Sequence, residues 1–215
     1  MCGILGYLGC RDSAPIVQKG LKKLNYRGYD SWGFGFKNNG KIEIIKEVGD
    51  FEKVENIKNN GGNCAVSHSR WATTGKVSKE NAHPHATENN EIVIVHNGII
   101  ENFQELKKEL LKNGHKFKSE TDTEIIGHLI EENFKGDFPD AVRKSFLQLK
   151  GRNAIVALHN NFDGLVGVKK GSPLIVGIKN NSKREEYFIS SDSRAFTDET
   201  NKVIFLEDNE LVVLK

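Results

Sequence analysis

"MCGILGYLG" (residues 1–9) opens the chain. Residues 3–9 read as a short buried strand, being free of charge and bounded by glycine. Cys2 stands directly behind the leading methionine, and removal of Met1 before so small a residue would leave one residue holding both a free thiol and the α-amine of the chain. An α-amine titrates near ~7.7–8.0, so roughly 20–40% of it is neutral at cytosolic pH and able to take the thiol proton, whereas a lysine is neutral only about one time in a thousand. Enzymes with an N-terminal threonine nucleophile use the same economy. On position alone Cys2 reads as an incidental residue, so the chemistry has to be supported by the rest of the sequence.

Outward from this strand, "SAPIVQKGLKKL" (13–24) predicts an amphipathic helix with Ser13 as N-cap, Pro15 in its first turn, and Ile16, Val17, Leu21 and Leu24 on one face. "WGFGF" and "KIEIIKEV" alternate as half-buried strands around "KNNGK". "NCAVSHS" and "EIVIVHN" are two more strands, separated by a polar stretch at 72–90 that is long for a loop and therefore functional or disordered. Ile99, Ile100, Phe103, Leu106 and Leu110 recur at helical spacing until Asn113 and Gly114 stop them. "TDTEIIGHLIEENF" predicts a third helix behind a Thr121–Glu124 capping box, and 138–149 a fourth. From Asn153 onward come short β runs: "NAIVALH", "GLVGVKK", "PLIVGI", "EYFISS", "KVIFL" and "ELVVL". Strands at both ends with helices between predict an α+β fold of packed sheets flanked by helices.

A chain of 215 residues buries about 70% of the surface its unfolded form exposes, enough for one substantial core, and residues 1–215 read as a single domain. Lys plus Arg number 31 against 29 Asp plus Glu, a net charge of +2, which argues against nucleic acid or an anionic membrane as partner and for small polar ligands. No apolar run approaches the ~20 residues of a membrane span and no signal-peptide pattern is present, so a cytoplasmic location is expected. Three cysteines without CxxC spacing argue against a disulfide framework and a thiolate zinc site; Cys10 and Cys64, in strand-like company, read as packed thiols. His68, His83, His85 and His96 suggest a metal cluster or an imidazole base for Cys2, yet 7 histidines in 215 residues is no enrichment. No metal and no obligatory histidine base are expected; His83 and His96 should hydrogen-bond within the scaffold. Neither GxxxxGK[ST] nor a strand-borne GxGxxG occurs, so no nucleotide or other cofactor is expected.

Taken singly, other residues have bland readings: Asn97-Gly98 as a turn after a strand, Arg70 as a surface charge, Trp71 as core, Asp122 as a helix cap. Taken together they do not. "CGILG", "YRGYDSWG" (26–33), "SRWATTG" (69–75), "NAHPH" (81–85), "HNGIIEN" (96–102) and "SETDTE" (119–124) follow one another in an order that closely resembles the glutaminase domain of the glucosamine-6-phosphate synthase family, class II glutamine amidotransferases. The resemblance covers nearly the whole chain, with "GSPLIVG" and "FLEDNEL" as the last strands. "RGYDS" and "RWAT" favour this branch over the purine-pathway amidotransferases, whereas "TTG" leans toward the latter.

The resemblance implies the four-layer αββα sandwich of N-terminal-nucleophile hydrolases. It also implies Cys2 as nucleophile on L-glutamine, with Asn97 and the Gly98 N–H as oxyanion hole, since a tetrahedral oxyanion needs donors about 2.7–3.1 Å away. Arg70 would take the α-carboxylate in a two-pronged grip and Asp122 the α-ammonium. Thr73 would line the pocket and Trp71 the ammonia path, while the loop after Gly75 closes over substrate. Thr74 replaces a histidine common in such synthases, and Trp32 a small residue. Arg27, Tyr29 and Asp30 should order the turn beside the nucleophile. Synthases of this family carry sugar-isomerase modules as well, so a separate isomerase-type subunit, and an oligomer, are expected partners. The alternatives are a non-catalytic glutamine-binding regulator and a glutaminase serving another acceptor, such as a purine-pathway synthase.

Overall fold

Strands covered on both faces lose their polar–apolar alternation, and the fold turns on that property. The structure, a computed structural model, describes residues 2–54, 57, 62–180 and 185–215; Met1, whose removal the sequence reading invokes, lies outside them. In chain order the elements are β1 (Gly3–Leu8), α1 (Ser13–Lys23), β2 (Ser31–Asn38), β3 (Lys41–Val48), β4 (Cys64–Arg70), β5 (His85–Ala86), β6 (Ile92–Gly98), α2 (Phe103–Lys112), α3 (Glu124–Asn133), α4 (Phe138–Phe146), β7 (Asn153–His159), β8 (Leu165–Lys170), β9 (Ile175–Lys179), β10 (Glu186–Ser190), β11 (Val203–Phe205) and β12 (Leu211–Leu214). Two antiparallel sheets result, ordered β11-β9-β10-β1-β4-β2-β3 and β12-β8-β7-β6-β5.

The side-chain period of two sorts each central strand between two cores. On β1, Ile4 and Leu8, with Val66 of the neighbouring β4, face the second sheet, where Val93, Val95 and Val156 meet them. Leu5 and Tyr7 face the other way, onto Val17 and Leu21 of α1 and onto Phe34, Phe36 and Phe188. On β6, Ile92 and Ile94 turn outward onto Ile126, Ile130 and Val142 of α3 and α4. The layers are therefore α1, sheet, sheet and α2–α4, the αββα sandwich expected. Among the described residues no helix is long and apolar enough to cross a membrane. Trp32 finds its place in the α1-side core, with ring centroids 5.0 Å from Phe51 and 5.8 Å from Phe34.

Register brings the site residues to one end of the sandwich. Gly3 pairs with Ser69 and Ser31 with Arg70, so Cys2 and Arg70 emerge side by side, and β6 delivers Asn97 and Gly98 at its own C-terminal end.

Several local expectations are corrected. The N-cap of α1 is Asp12, whose carboxylate accepts from Ala14 N at 3.1 Å, not Ser13; a carboxylate also offsets the positive end of the helix. No capping box forms at Thr121–Glu124, because α3 begins at Glu124 after Thr123. Glu124 instead accepts from the N–H groups of Lys118 and Ser119 at 2.8 and 2.7 Å. Ile99 and Ile100 lie ahead of α2, before the turn at Glu101 and Asn102, rather than forming its first residues. Cys10 is exposed rather than packed, while Cys64 is buried, and burial pushes its thiol up to about 12.

Candidate active site

Cys2 Sγ accepts from Trp71 N at 3.2 Å and lies 3.5 Å from Trp71 O. Burial is the main influence on this thiol and pushes it above its ordinary range, with the Trp71 hydrogen bond and the Arg70 charge pulling the other way. A neutral thiol at rest needs a base at the moment of attack. Among the described residues no imidazole hydrogen-bonds this sulfur.

Asn97 is held from two sides. Its Nδ2 donates to Cys2 O at 2.9 Å and its Oδ1 meets His68 Nε2 at 3.1 Å. Gly98 follows at φ +142°, and a Cβ there would collide with the Arg152 carbonyl oxygen, so only glycine lets the backbone turn its N–H at this point.

Arg70 is almost fully buried. Its guanidinium donates to the carbonyls of Thr74, Gly75 and Lys76, the last at 3.3 Å. Asp122, also buried, accepts from Ile100 N at 2.7 Å. It braces the turn after Gly98 and does not cap α3, which corrects that expectation. Trp71 is about half exposed and leans on Tyr29 at 5.7 Å between ring centroids. Asp30 accepts from Ala72 N at 2.8 Å and its N–H donates to Arg70 O, so it does order the turn beside Cys2. Arg27 pairs with Asp192 at 3.1 Å.

Two cavities meet at Cys2. The smaller, about 30 Å³, is lined by Cys2, Arg70, Trp71, Thr73, Thr74, Gly98 and Asp122, together with His83, His96, Thr121 and Thr123. The larger, about 470 Å³, shares Cys2, Trp71, Thr73 and Gly98 with it and adds Asn97, Arg27, Ile99, Glu101, Arg152, Ser172 and Pro173. All eight residues singled out from the sequence thus line one or both. A water needs ~10–15 Å³, so with Arg70 folded onto the loop carbonyls the smaller cavity has room for about two waters and not for an amino acid.

Behind the cavity stand the four histidines. His96 bonds Thr123 Oγ1 and Asn153 Oδ1, both at 2.9 Å, and its N–H donates to His83 Nδ1 at 3.3 Å. His85 Nε2 meets Thr121 Oγ1 at 3.1 Å, and His68 and His83 stack at 4.0 Å. Burial drives His68 and His85 down to about 3 and His83 well below its ordinary range. They are neutral scaffold groups, as expected of His83 and His96.

Sequence reasoning missed three parts of this frame. His68 orients Asn97, and its only signal was alternation along β4. Asn81 and Glu120 latch the loop through Asn81 Nδ2 to Glu120 Oε2 at 2.9 Å and Glu120 N to Asn81 Oδ1 at 2.8 Å. Lys46 Nζ donates to the carbonyls of Glu80, at 3.1 Å, and Ala82, at 2.9 Å. The last two join distant segments and leave no local pattern.

Residues 68–198 match the model of a family described as a glutamine amidotransferase domain. The chain is 48% identical to a glutamine–fructose-6-phosphate aminotransferase (isomerizing) of Pyrococcus horikoshii over 98% of its own length and 36% of the relative's. Against the enzyme of that name from Aquifex aeolicus it is 46% identical over 100% and 36%. The chain therefore spans about a third of the length of these curated relatives. Among solved structures it resembles an allosteric regulatory enzyme of purine biosynthesis, with TM-score 0.83 and 27% identity over 99% of this chain and 46% of that one. The glutamine phosphoribosylpyrophosphate amidotransferase of B. subtilis gives TM-score 0.80 and 26% identity over 99% and 47%.

Proposed function

The chain belongs to the class II glutamine amidotransferases, and on that premise we propose that it is a single glutaminase domain hydrolysing L-glutamine to glutamate and ammonia through a cysteinyl thioester. The Cys2 thiol, its proton taken by the α-amine that loss of Met1 uncovers, attacks the side-chain carbonyl. The oxyanion is received by Asn97 Nδ2 and Gly98 N–H. Collapse of the tetrahedral adduct releases ammonia, and water then cleaves the thioester to glutamate and free thiol. Arg70 grips the α-carboxylate and Asp122 the α-ammonium, while Thr73 and Thr74 line the substrate pocket and Trp71 the exit. Ammonia passes to a sugar-phosphate-isomerase-type partner, a reading supported by the relatives' names.

The observation that carries this reading is the Asn97 amide, oriented by His68 with its N–H₂ end directed at Cys2. Glutamine entry beside Arg70 requires this pocket, about 30 Å³ with Arg70 on the loop carbonyls, to widen. That closed state also suits a glutamine-binding regulator, the second reading.

The two separate on one preparation. Purified protein shown by intact mass to lack Met1 should release ammonia from glutamine and not from asparagine, and Cys2→Ala should bind glutamine without turnover. Retention of Met1 together with glutamine binding would favour the regulator.

A further inference from the structure

Away from Cys2, the turn after α2 and the outer part of α3 bring three donor atoms together. His115, whose N–H closes the end of α2 on Leu110 O at 3.0 Å, places Nδ1 3.1 Å from His128 Nδ1. Glu131 Oε2 lies 2.9 Å from His128 Nδ1 and 3.7 Å from His115 Nδ1. The point equidistant from these three atoms is about 1.9 Å from each, so bonds of ~2.0–2.2 Å set an ion about 0.6–1.1 Å off their plane, close to what a tetrahedral centre requires.

The far side of His115 tells the same story independently, and that of His128 has a carboxylate within ion-pair but not hydrogen-bond reach. His115 Nε2 is 3.1 Å from Glu132 Oε1. His128 Nε2 is buried, has no hydrogen-bond partner among the described residues, and faces Glu124 Oε1 at 3.9 Å. Imidazoles that bind a metal through one nitrogen characteristically present the other to a carboxylate. The side chain of His128 is 3% exposed and that of Glu131 33%, so the triangle is anchored inside and open outside, leaving a fourth position for water.

We propose that His115, His128 and Glu131 form a site for a divalent ion of the zinc type. Two imidazoles and one carboxylate are a donor set that suits Zn²⁺. Neither Cys2 cavity includes these residues, and the role assigned is structural. The ion would tie the turn after α2 to α3, and Glu124, behind His128, would extend that tie to Lys118 and Ser119, three residues before Asp122. A proton shared between the two Nδ1 atoms is the competing occupant. The inference rests on this geometry and not on the glutaminase reading.

The test uses untagged, chelator-treated full chain titrated with Co²⁺ and then Zn²⁺. The expected result is a 1:1 complex with the intense visible bands of four-coordinate cobalt, bleached by zinc. Zinc at 100-fold over Kd should raise Tm by about 5–10 °C. His115→Ala, in an outer turn, should abolish both signals, and Glu131→Gln should weaken them if His115→Ala folds poorly. Glu132→Gln should reduce affinity about 10–100-fold, and Cys2→Ala should change nothing. Absence of a four-coordinate spectrum at one equivalent, binding that survives in His115→Ala, or a signal lost in Cys2→Ala would each overturn the site.

Discussion

His68 Nε2 sits 3.1 Å from Asn97 Oδ1, and this contact decides which way round the Asn97 amide stands. The same nitrogen is 3.1 Å from His96 O, an obligate acceptor, so it carries the proton. The oxygen end of the amide must then face His68 and the N–H₂ end must face Cys2. His68 Nδ1, left without a proton, has no hydrogen-bond partner among the described residues.

His68→Ala should therefore lower kcat about 10–100-fold with little change in KM, less than the 10²–10³ that follows outright loss of an oxyanion donor. His68→Gln, whose amide nitrogen reaches the same point, should recover most of it. Equal losses in kcat for Ala and Gln would show that His68 acts through packing alone.

Gly98→Ala should cost about 2–3 kcal/mol of stability and lower Tm by about 4–12 °C. The residue is at φ +142° and its added methyl would run into the Arg152 carbonyl. A thermal melt of the variant at unchanged Tm would mean that the turn relaxes freely.

Arg70→Lys should raise KM for glutamine more than 10-fold while kcat changes little, because a point charge cannot reproduce the two-pronged grip on a carboxylate. It should also loosen residues 74–76, whose carbonyls the guanidinium now holds. Hydrogen exchange across that loop, measured with and without glutamine, checks both halves.

Cys2 offers a pH test. Burial raises its thiol, so near neutrality it is protonated, and in protein retaining Met1 alkylation by iodoacetamide should climb about tenfold per pH unit through pH 8. In protein lacking Met1, kcat/KM for glutamine should instead level off as the α-amine loses its proton near ~7.7–8.0. A plateau already reached at pH 6 in either form would mean a preformed thiolate.

Acid should destabilise the sandwich through its buried imidazoles. His68 and His85 titrate near about 3 when folded, against an ordinary 6.5, so between those values the unfolded chain holds more protons. Stability should fall as pH drops from 6.5, by up to about 1.4 kcal/mol per unit for each ring. Tm measured from pH 7.5 to 4.5 should decline steeply, and His85→Gln should flatten the slope; a level profile in the parent protein would refute the neutral assignment.

Much of this architecture was legible in the residues. The runs at Ile4–Leu8 and Ile92–Val95 announce strands because burial on both faces demands unbroken apolar side chains. The site residues were legible as a set because the resemblance ties together motifs that mean little singly. Contacts made by backbone were not: Arg70 looks like a carboxylate ligand, and nothing in its neighbours says that carbonyls occupy it in this state. Caps failed for a related reason. Asp12 and Ser13 are adjacent and both competent, and Glu124 had the spacing of a capping box but found better partners in the N–H groups of Lys118 and Ser119. The pairing of His115 with His128 and Glu131 crosses two elements, and only the i, i+3 spacing of the latter two hinted at it.

The place of β1 in its sheet sets a schedule. The first strand to leave the ribosome is flanked by β4 and by β10, residues 186–190, so one of its edges waits until residue 190 has been made. Throughout that interval the front of the polypeptide is only half docked, and the methionine trimming that the proposed function requires would meet a segment not yet clamped between its neighbours. Late closure of an early strand would thus give the proposed maturation of Cys2 its window of time.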